Sequence, residues 1–284
     1  MVPPRHIQDR LRDFGALSDD DIPLTETALL LAQIDRPGST TEPYERHLRG
    51  LVEDVRAYVE GGRTPLPHAE GFAEALAQVL VKRHGYFGTN DVFDDVEGAN
   101  LMRCIERRSG LPAALTLIYL HVARGLGRPM EAIDFPGRVL ARLDHPDGRL
   151  ILDPFDAGAT LDAPAMRALL KTFAGREAEL SPDRFKTMSN RRVLVRLFEN
   201  VKIRFLRSGD LEKALTSVET MLMFAPGLAR LWREAGILHA RLDHLADAVD
   251  ALEQYLEFDT RERFRYDAGV LLRKLKGRMR KSGL

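Results

Sequence analysis

The chain has 284 residues, of which 44% are hydrophobic and 30% charged, with 42 basic and 42 acidic residues. This length is enough for two domains, and the balanced charge gives no general attraction to nucleic acid or to an anionic membrane. The only cysteine, Cys104, excludes an internal disulfide framework and fits a reducing compartment. The first fifteen residues lack the apolar segment of a secretory signal, and His121 and Arg124 interrupt the most apolar run. We therefore expect a cytoplasmic protein without membrane insertion.

The first part of the chain is predicted to be helical. Apolar residues at a spacing of three and four predict helices at 24–34, 43–60, 68–85 and 98–110. A strongly apolar helix is predicted from 112 to 126. It begins at Pro112, because proline is preorganised for the first helical position, and it ends at Gly127.

The pattern then changes to that of short strands, predicted at 130–137, 138–143 and 149–155. The last two are joined by residues 145–148 (HPDG), where glycine can supply the positive φ that a tight hairpin needs. Helices followed by a small antiparallel sheet predict an α+β fold for the first domain, which we place at residues 1–180.

From about residue 181 the pattern is helical again, and it contains an internal repeat. Residues 198–226 align with residues 232–260 without a gap, at an offset of 34 residues. The alignment places Ala214 on Ala248, a small residue where two antiparallel helices approach closely. A turn centred on Gly209 in the first copy is replaced by Leu242-Asp243-His244 in the second. These features predict an all-α second domain at 181–284, with a closing helix from about Arg261.

The repeat resembles the tetratricopeptide repeat, and most of the chain resembles one bacterial family. The matching segments are ETALLLAQID (26–35), ERRSGLPAALTLIYLHVARGLGRPMEAIDFPG (106–137) and LILDPFDAG (150–158). They resemble a family of transglutaminase-like proteins with C-terminal tetratricopeptide repeats, named after a supposed regulator of invasion genes. The resemblance implies a mostly helical transglutaminase or cysteine-protease-like core with a small antiparallel sheet, followed by all-α repeats.

The resemblance also implies where an active site would lie. Active transglutaminase-like cores use a cysteine at the start of the buried helix, a histidine on the next strand and an aspartate on the following strand. The matching positions here are Pro112, Arg138 and Asp153. Proline has no nucleophilic group, and arginine stays protonated and cannot act as a base. We therefore predict a degenerate core with no catalytic residues, no enzyme activity and no cofactor.

Two interpretations of Arg138 and Asp153 stay open from the sequence. The pair is either an ion pair that stabilises the fold, or a site where Arg138 binds a carboxylate or phosphate of a ligand. Both residues are candidate binding residues. Trp232, at the start of the second repeat, is a third.

The competing class is an enzyme, either a thiol hydrolase or acyltransferase with Cys104 as a displaced nucleophile, or a non-thiol hydrolase that uses Asp153. The neighbours of Cys104 at helical spacing are apolar, which favours a packed core cysteine. The histidines form no recognisable ligand spacing, so no metal site is predicted.

The end of the chain is basic, with nine Lys and Arg residues between 261 and 281. Such a helix can bind nucleic acid, but a solvated closing helix of a repeat array is the interpretation we favour. The sequence as a whole predicts a non-catalytic interaction or regulatory module, whose helical repeats bind a protein or peptide partner.

Overall fold

The computed structural model describes residues 2–61, 68–93, 95, 97–259 and 262–282. It divides into two compact units. One consists of Pro23–Leu197, and the other of Met1–Ile22 together with Phe198–Leu284.

The described residues form twelve α-helices and five strands. The helices are α1 (Arg5–Ala16), α2 (Leu24–Ile34), α3 (Glu42–Gly61), α4 (Ala69–Leu76), α5 (Leu101–Arg107), α6 (Pro112–Gly125), α7 (Ala163–Ala174), α8 (Asn190–Arg207), α9 (Leu211–Phe224), α10 (Ala229–Arg241), α11 (Leu245–Phe258) and α12 (Glu262–Ser282). The strands are β1 (Met130–Phe135), β2 (Arg138–His145), β3 (Gly148–Asp153), β4 (Ala159–Thr160) and β5 (Thr187–Met188). The predicted α+β fold with an all-α region after it is confirmed, whereas α1, α7, β4 and β5 were not predicted.

The strands form one antiparallel sheet in the order β4-β3-β2-β1-β5. The predicted hairpin joins β2 to β3, and its register pairs His145 with Gly148 across a two-residue loop. Gly148 has a φ of 152°, which is the positive value that the sequence required of this glycine.

Helix α6 is the central element of the Pro23–Leu197 unit. It begins at Pro112, as predicted, and is buried on nearly all sides, which is the pattern of a core helix. The hydroxyl of Thr116, one turn into the helix, donates a hydrogen bond of 2.6 Å to the carbonyl of Val139. The start of α6 is thereby tied to the start of β2, where the candidate site lies.

The predicted 34-residue repeat is visible in the second unit, because α9 and α11 begin and end 34 residues apart. The turns before these helices also agree. Gly209 has a φ of 77°, and Asp243, 34 residues later, has a φ of 64°. The second copy therefore keeps the left-handed turn without its glycine, since aspartate tolerates this conformation better than most residues.

Helix α1 belongs to the unit that holds the repeats, where it packs against α9. Its buried residues Ile7, Leu11 and Phe14 form one helical face. At Gly15 the two backbones nearly touch, because a Cβ atom there would lie 2.2 Å from the carbonyl oxygen of Met223. The structure thus differs from the predicted division at residue 180: α1 joins the repeats, and the second unit resumes at Phe198.

Helix α12 packs against α11 through Ala268 and Leu275, which share an apolar cluster with Leu252 and Tyr255. It is the predicted closing helix, and its predicted first residue, Arg261, lies outside the described residues. In the described ranges, no helix combines the length and the apolar character that crossing a membrane requires.

Candidate functional site

The candidate site lies at one end of the β2–β3 hairpin. Because the strands are antiparallel, Arg138 at the start of β2 lies near Asp153 at the end of β3. The Nε of Arg138 donates to Oδ2 of Asp153 at 3.3 Å. The Asp153 side chain is 3% exposed and that of Arg138 is 13% exposed. The structure therefore brings together two of the three positions that the sequence selected.

The guanidinium of Arg138 has further contacts that fix its orientation. Its Nη1 donates to the carbonyl of Gly137 at 3.0 Å. Its Cζ lies 4.2 Å from the ring centre of Phe155 and 5.1 Å from that of Phe173, which are cation–π distances. A guanidinium held by a carboxylate, a carbonyl and two rings is a structural element of the fold, which agrees with the ion-pair interpretation. A role of Arg138 and Asp153 in binding stays a prediction.

Asp153 is a buried carboxylate whose charge is only partly compensated. Burial raises its pKa, while the Arg138 guanidinium and the backbone N–H of Phe155, 3.0 Å from Oδ1, lower it. The net direction is upward. Nearby, burial and the charge of Asp153 also raise the pKa of Tyr119. The Tyr119 hydroxyl is buried and has no hydrogen-bond partner within the described part of the chain.

A cleft of about 790 Å³ opens beside the ion pair. The described residues that line it are Gly88, Thr89, Asn90, Arg138, Asp153, Phe155, Asp156, Leu161, Ala165, Ala168, Leu169 and Thr172. This lining includes no thiol and no imidazole. Pro112 is buried at the start of α6 and does not line the cleft. The cleft therefore has room for a ligand beside the Arg138 guanidinium, and the absence of an enzyme activity stays a prediction.

Cys104 lies on α5 and is 1% exposed. Burial raises the pKa of its thiol to about 12, although the nearby Arg108 guanidinium acts in the opposite direction. Gly110 packs so closely that a Cβ atom there would lie 2.7 Å from the Cys104 Sγ. The predicted apolar environment of Cys104 is present, and the cation near it does not lower the pKa into a reactive range.

Iodoacetamide is expected to label Cys104 only when the protein unfolds. With a pKa of about 12, on the order of one thiol in 100,000 is ionised at neutral pH, and the side chain is inaccessible. The native labelling rate should be at least about a hundredfold below the rate in denaturant. Fast labelling of the folded chain that increases with pH would contradict this and would restore the thiol-enzyme alternative.

A second concave surface lies on the repeat unit, as a groove of about 900 Å³ between α1 and helices α9 to α11. Trp232 lines this groove, and its Nε1 donates to the carbonyl of Pro226 at 2.8 Å. Sequence reasoning selected Trp232 but missed the α1 side of the groove. The sequence does contain a pattern that predicts α1, since Ile7, Leu11 and Phe14 follow the spacing of an amphipathic helix.

Sequence reasoning also missed a cluster of possible metal ligands at the turn between α10 and α11. His239, His244 and Asp247 each place one ligand atom within 4.8 Å of the others. Their spacing, five and three residues apart, matches no familiar ligand motif, and the left-handed turn at Asp243 brings them together. No metal site was predicted, so this cluster is an addition from the structure.

Two basic side chains of the closing helix, α12, form ion pairs with acidic residues on α11 and in the turn before it. Lys276 pairs with Glu253 at 2.5 Å, and Arg278 pairs with Asp243 at 2.6 Å. Pairs of this kind are expected of a closing helix that packs on the last repeat. That this helix is a solvated closing helix, with nucleic-acid binding as the less favoured alternative, stays a prediction.

Comparison with known proteins gives the family. Residues 42–199, more than half of the chain, match the transglutaminase-like superfamily. The chain belongs to the transglutaminase-like superfamily. Residues 201–272 match the tetratricopeptide repeat, and both matches confirm the resemblance that the sequence carried.

The relatives are bacterial proteins that match this chain over most of their own length. The chain is 31% identical to a UPF0162 protein of Xylella fastidiosa over 251 residues, which are 86% of this chain and 87% of the relative. It is 28% identical to the UPF0162 protein PA3419 of Pseudomonas aeruginosa over 80% of this chain and 81% of the relative. It is 26% identical to protein SirB1 of Salmonella typhimurium over 87% of this chain and 90% of the relative. No solved structure matches the chain.

Proposed function

We propose that the chain is a non-catalytic, cytoplasmic interaction module whose repeat groove binds a peptide segment of a partner protein. The observation that carries this proposal is the groove between α1 and helices α9 to α11. Tetratricopeptide repeats generally mediate contacts between proteins, and the described repeat helices form this concave surface with α1. A reduced, buried Cys104 fits the cytoplasmic location.

The lack of catalysis is supported by the contents of the transglutaminase-like core. By the family resemblance, the position of the nucleophile corresponds to Pro112 and that of the base to Arg138. Arg138 cannot accept a proton, and its Nε is held 3.3 Å from Asp153. The thiol alternative needs Cys104, whose pKa is raised by burial. The core is therefore proposed to act as a scaffold.

The chemistry of the groove favours a peptide with cationic and apolar side chains. Its apolar lining comes from Leu222, Met223, Ala235 and Ala251, among others. Its acidic lining consists of Glu219, Asp247 and Asp250. Among the described residues that line the groove, the only Lys or Arg is Arg12, which is paired with Asp9 at 3.2 Å. The net charge of the lining is thus negative, and complementary charge favours Lys- or Arg-containing segments.

Peptide selection on the full-length chain tests this proposal. Peptides chosen from a random library should be enriched in Lys or Arg among apolar residues. Their affinity should fall about tenfold or more in Asp250→Lys, a loss of about 1.4 kcal/mol in binding free energy. Asp250 is exposed, so the variant is expected to fold.

Glu257→Lys is the matched control, because Glu257 is exposed on the same helix but does not line the groove. Its peptide affinity should stay within about twofold of the unmodified chain. Equal binding by the Asp250→Lys variant, or selected peptides without cationic residues, would reject the proposed groove function.

A further inference from the structure

The turn between α10 and α11 holds a cluster of nitrogen and oxygen ligands. His239 lies in the last turn of α10, His244 directly precedes α11, and Asp247 lies in the first turn of α11. One ligand atom from each residue lies within 4.8 Å of the other two. Two imidazoles and a carboxylate are a common ligand set for zinc in proteins.

The backbone of the turn holds the two histidines at a fixed separation. The N–H groups of Leu242 and His244 both donate to the carbonyl of His239, at 3.1 and 3.0 Å. Asp243 adopts a φ of 64°, which lets the chain reverse within these few residues. Preorganisation of this kind lowers the entropy cost of gathering ligands around an ion.

The separation of the two imidazoles suits an ion better than a direct hydrogen bond. Nδ1 of His239 lies 3.5 Å from Nδ1 of His244, which is long for a hydrogen bond. Two ligands of a tetrahedral zinc ion, with bonds of about 2.0–2.1 Å, lie about 3.4 Å apart. Since His244 and Asp247 are exposed, their side chains can rotate to close the remaining distance.

The other ring nitrogen of His239 faces a carboxylate at the outer limit of hydrogen-bond distance. Its Nε2 lies 3.5 Å from Oε1 of Glu219 on α9. Histidines that bind metals usually donate their second N–H to a carboxylate, which fixes the tautomer and directs the free lone pair to the ion.

We propose that His239, His244 and Asp247 bind a divalent transition-metal ion of the zinc class, with Glu219 as a positioning residue for His239. Three protein ligands leave one position of a tetrahedral ion for water or another ligand. His239 and Asp247 also line the groove, so the ion would lie at its edge. This site goes beyond the proposed peptide binding, and because Asp247 and Glu219 are also acidic residues of the groove lining, a bound ion would weaken the attraction of the groove for cationic peptides.

Zinc titration of the full-length chain, followed by calorimetry at neutral pH, tests the site. We expect one zinc ion per chain, and a loss of about a hundredfold or more in affinity for His244→Ala and for Asp247→Asn. Glu219→Gln should weaken binding by about 10–100-fold, which is the range for outer-shell partners of metal ligands. Co²⁺ should give the absorption of a tetrahedral site in the unmodified chain and lose it in His244→Ala.

His6→Ala is the control, because His6 is an exposed histidine outside the cluster. Its zinc affinity should equal that of the unmodified chain. Absence of zinc binding by the unmodified chain, or an affinity that His244→Ala and Asp247→Asn leave unchanged, would overturn the proposal. The peptide test uses Asp250, which is not a ligand, so failure of one proposal is distinguishable from failure of the other.

Discussion

Arg138→Met is expected to lower the free energy of unfolding at neutral pH by about 3 kcal/mol, because it leaves a buried carboxylate without its cation. Asp153 is 3% exposed, and Arg138 is its ion-pair partner at 3.3 Å. This loss is at the low end of what breaking a buried ion pair costs, because the Phe155 N–H still donates a hydrogen bond to Asp153. Urea unfolding of the variant and of the unmodified chain measures the difference.

The pH dependence of this loss has a definite sign. The folded-state pKa of Asp153 is raised, by burial first, and loss of the Arg138 charge raises it further. A carboxyl group with a raised pKa binds protons more readily in the folded state than in the unfolded state. Its destabilising effect is therefore fully present above the folded-state pKa, decreases as the pH falls below that value, and is gone below the unfolded-state pKa. The deficit of Arg138→Met should shrink in acid.

Two controls separate the ion pair from general damage to β2. Arg142→Met removes an arginine from the same strand, but its partners Asp144 and Glu131 are 35% and 44% exposed, so the loss should be below about 1 kcal/mol. The double variant Arg138→Met/Asp153→Asn should be more stable at neutral pH than Arg138→Met alone. A pH-independent deficit in Arg138→Met, or a double variant that is less stable than the single one, would contradict a buried charge pair.

The parts of the fold that the sequence predicts are those whose signals are local. The hairpin needs only an Asp-Gly step between apolar runs, and α6 needs only a proline, an apolar run and a glycine. The repeat is found because Ala214 and Ala248 recur at a fixed offset. The second copy has Asp243 at the position of Gly209, so the sequence does not reveal that both copies have the same left-handed turn.

Only the part of the candidate site that lies on the β2–β3 hairpin is predicted from the sequence. The resemblance aligns β2 with β3, so it places Arg138 near Asp153. It does not include α7, and the contact of Phe173 with the guanidinium therefore has no counterpart in the sequence pattern. The cluster at His239 depends on a turn conformation and on a carboxylate from α9, which no local spacing reveals.

Gly15→Ala is expected to lower the free energy of unfolding by about 2 kcal/mol, although alanine is the better helix former. Gly15 lies in the last turn of α1, where an added Cβ would be 2.2 Å from the backbone carbonyl oxygen of Met223. A backbone atom inside a helix cannot rotate away, so the two helices must separate. Denaturant unfolding measures the loss, and hydrogen exchange should show reduced protection of the α1 amides.

Gly50→Ala on α3 is the matched control for this substitution. Gly50 is exposed within a helix, and no atom lies within 4 Å of the position of its added Cβ. The substitution should therefore increase stability by up to about 1 kcal/mol, through helix propensity alone. Because the two substitutions are chemically identical, their opposite signs isolate the close approach of α1 to α9. If Gly15→Ala stabilised the chain as Gly50→Ala does, α1 would not pack on the repeats, and the α1 side of the proposed peptide groove would be lost with it.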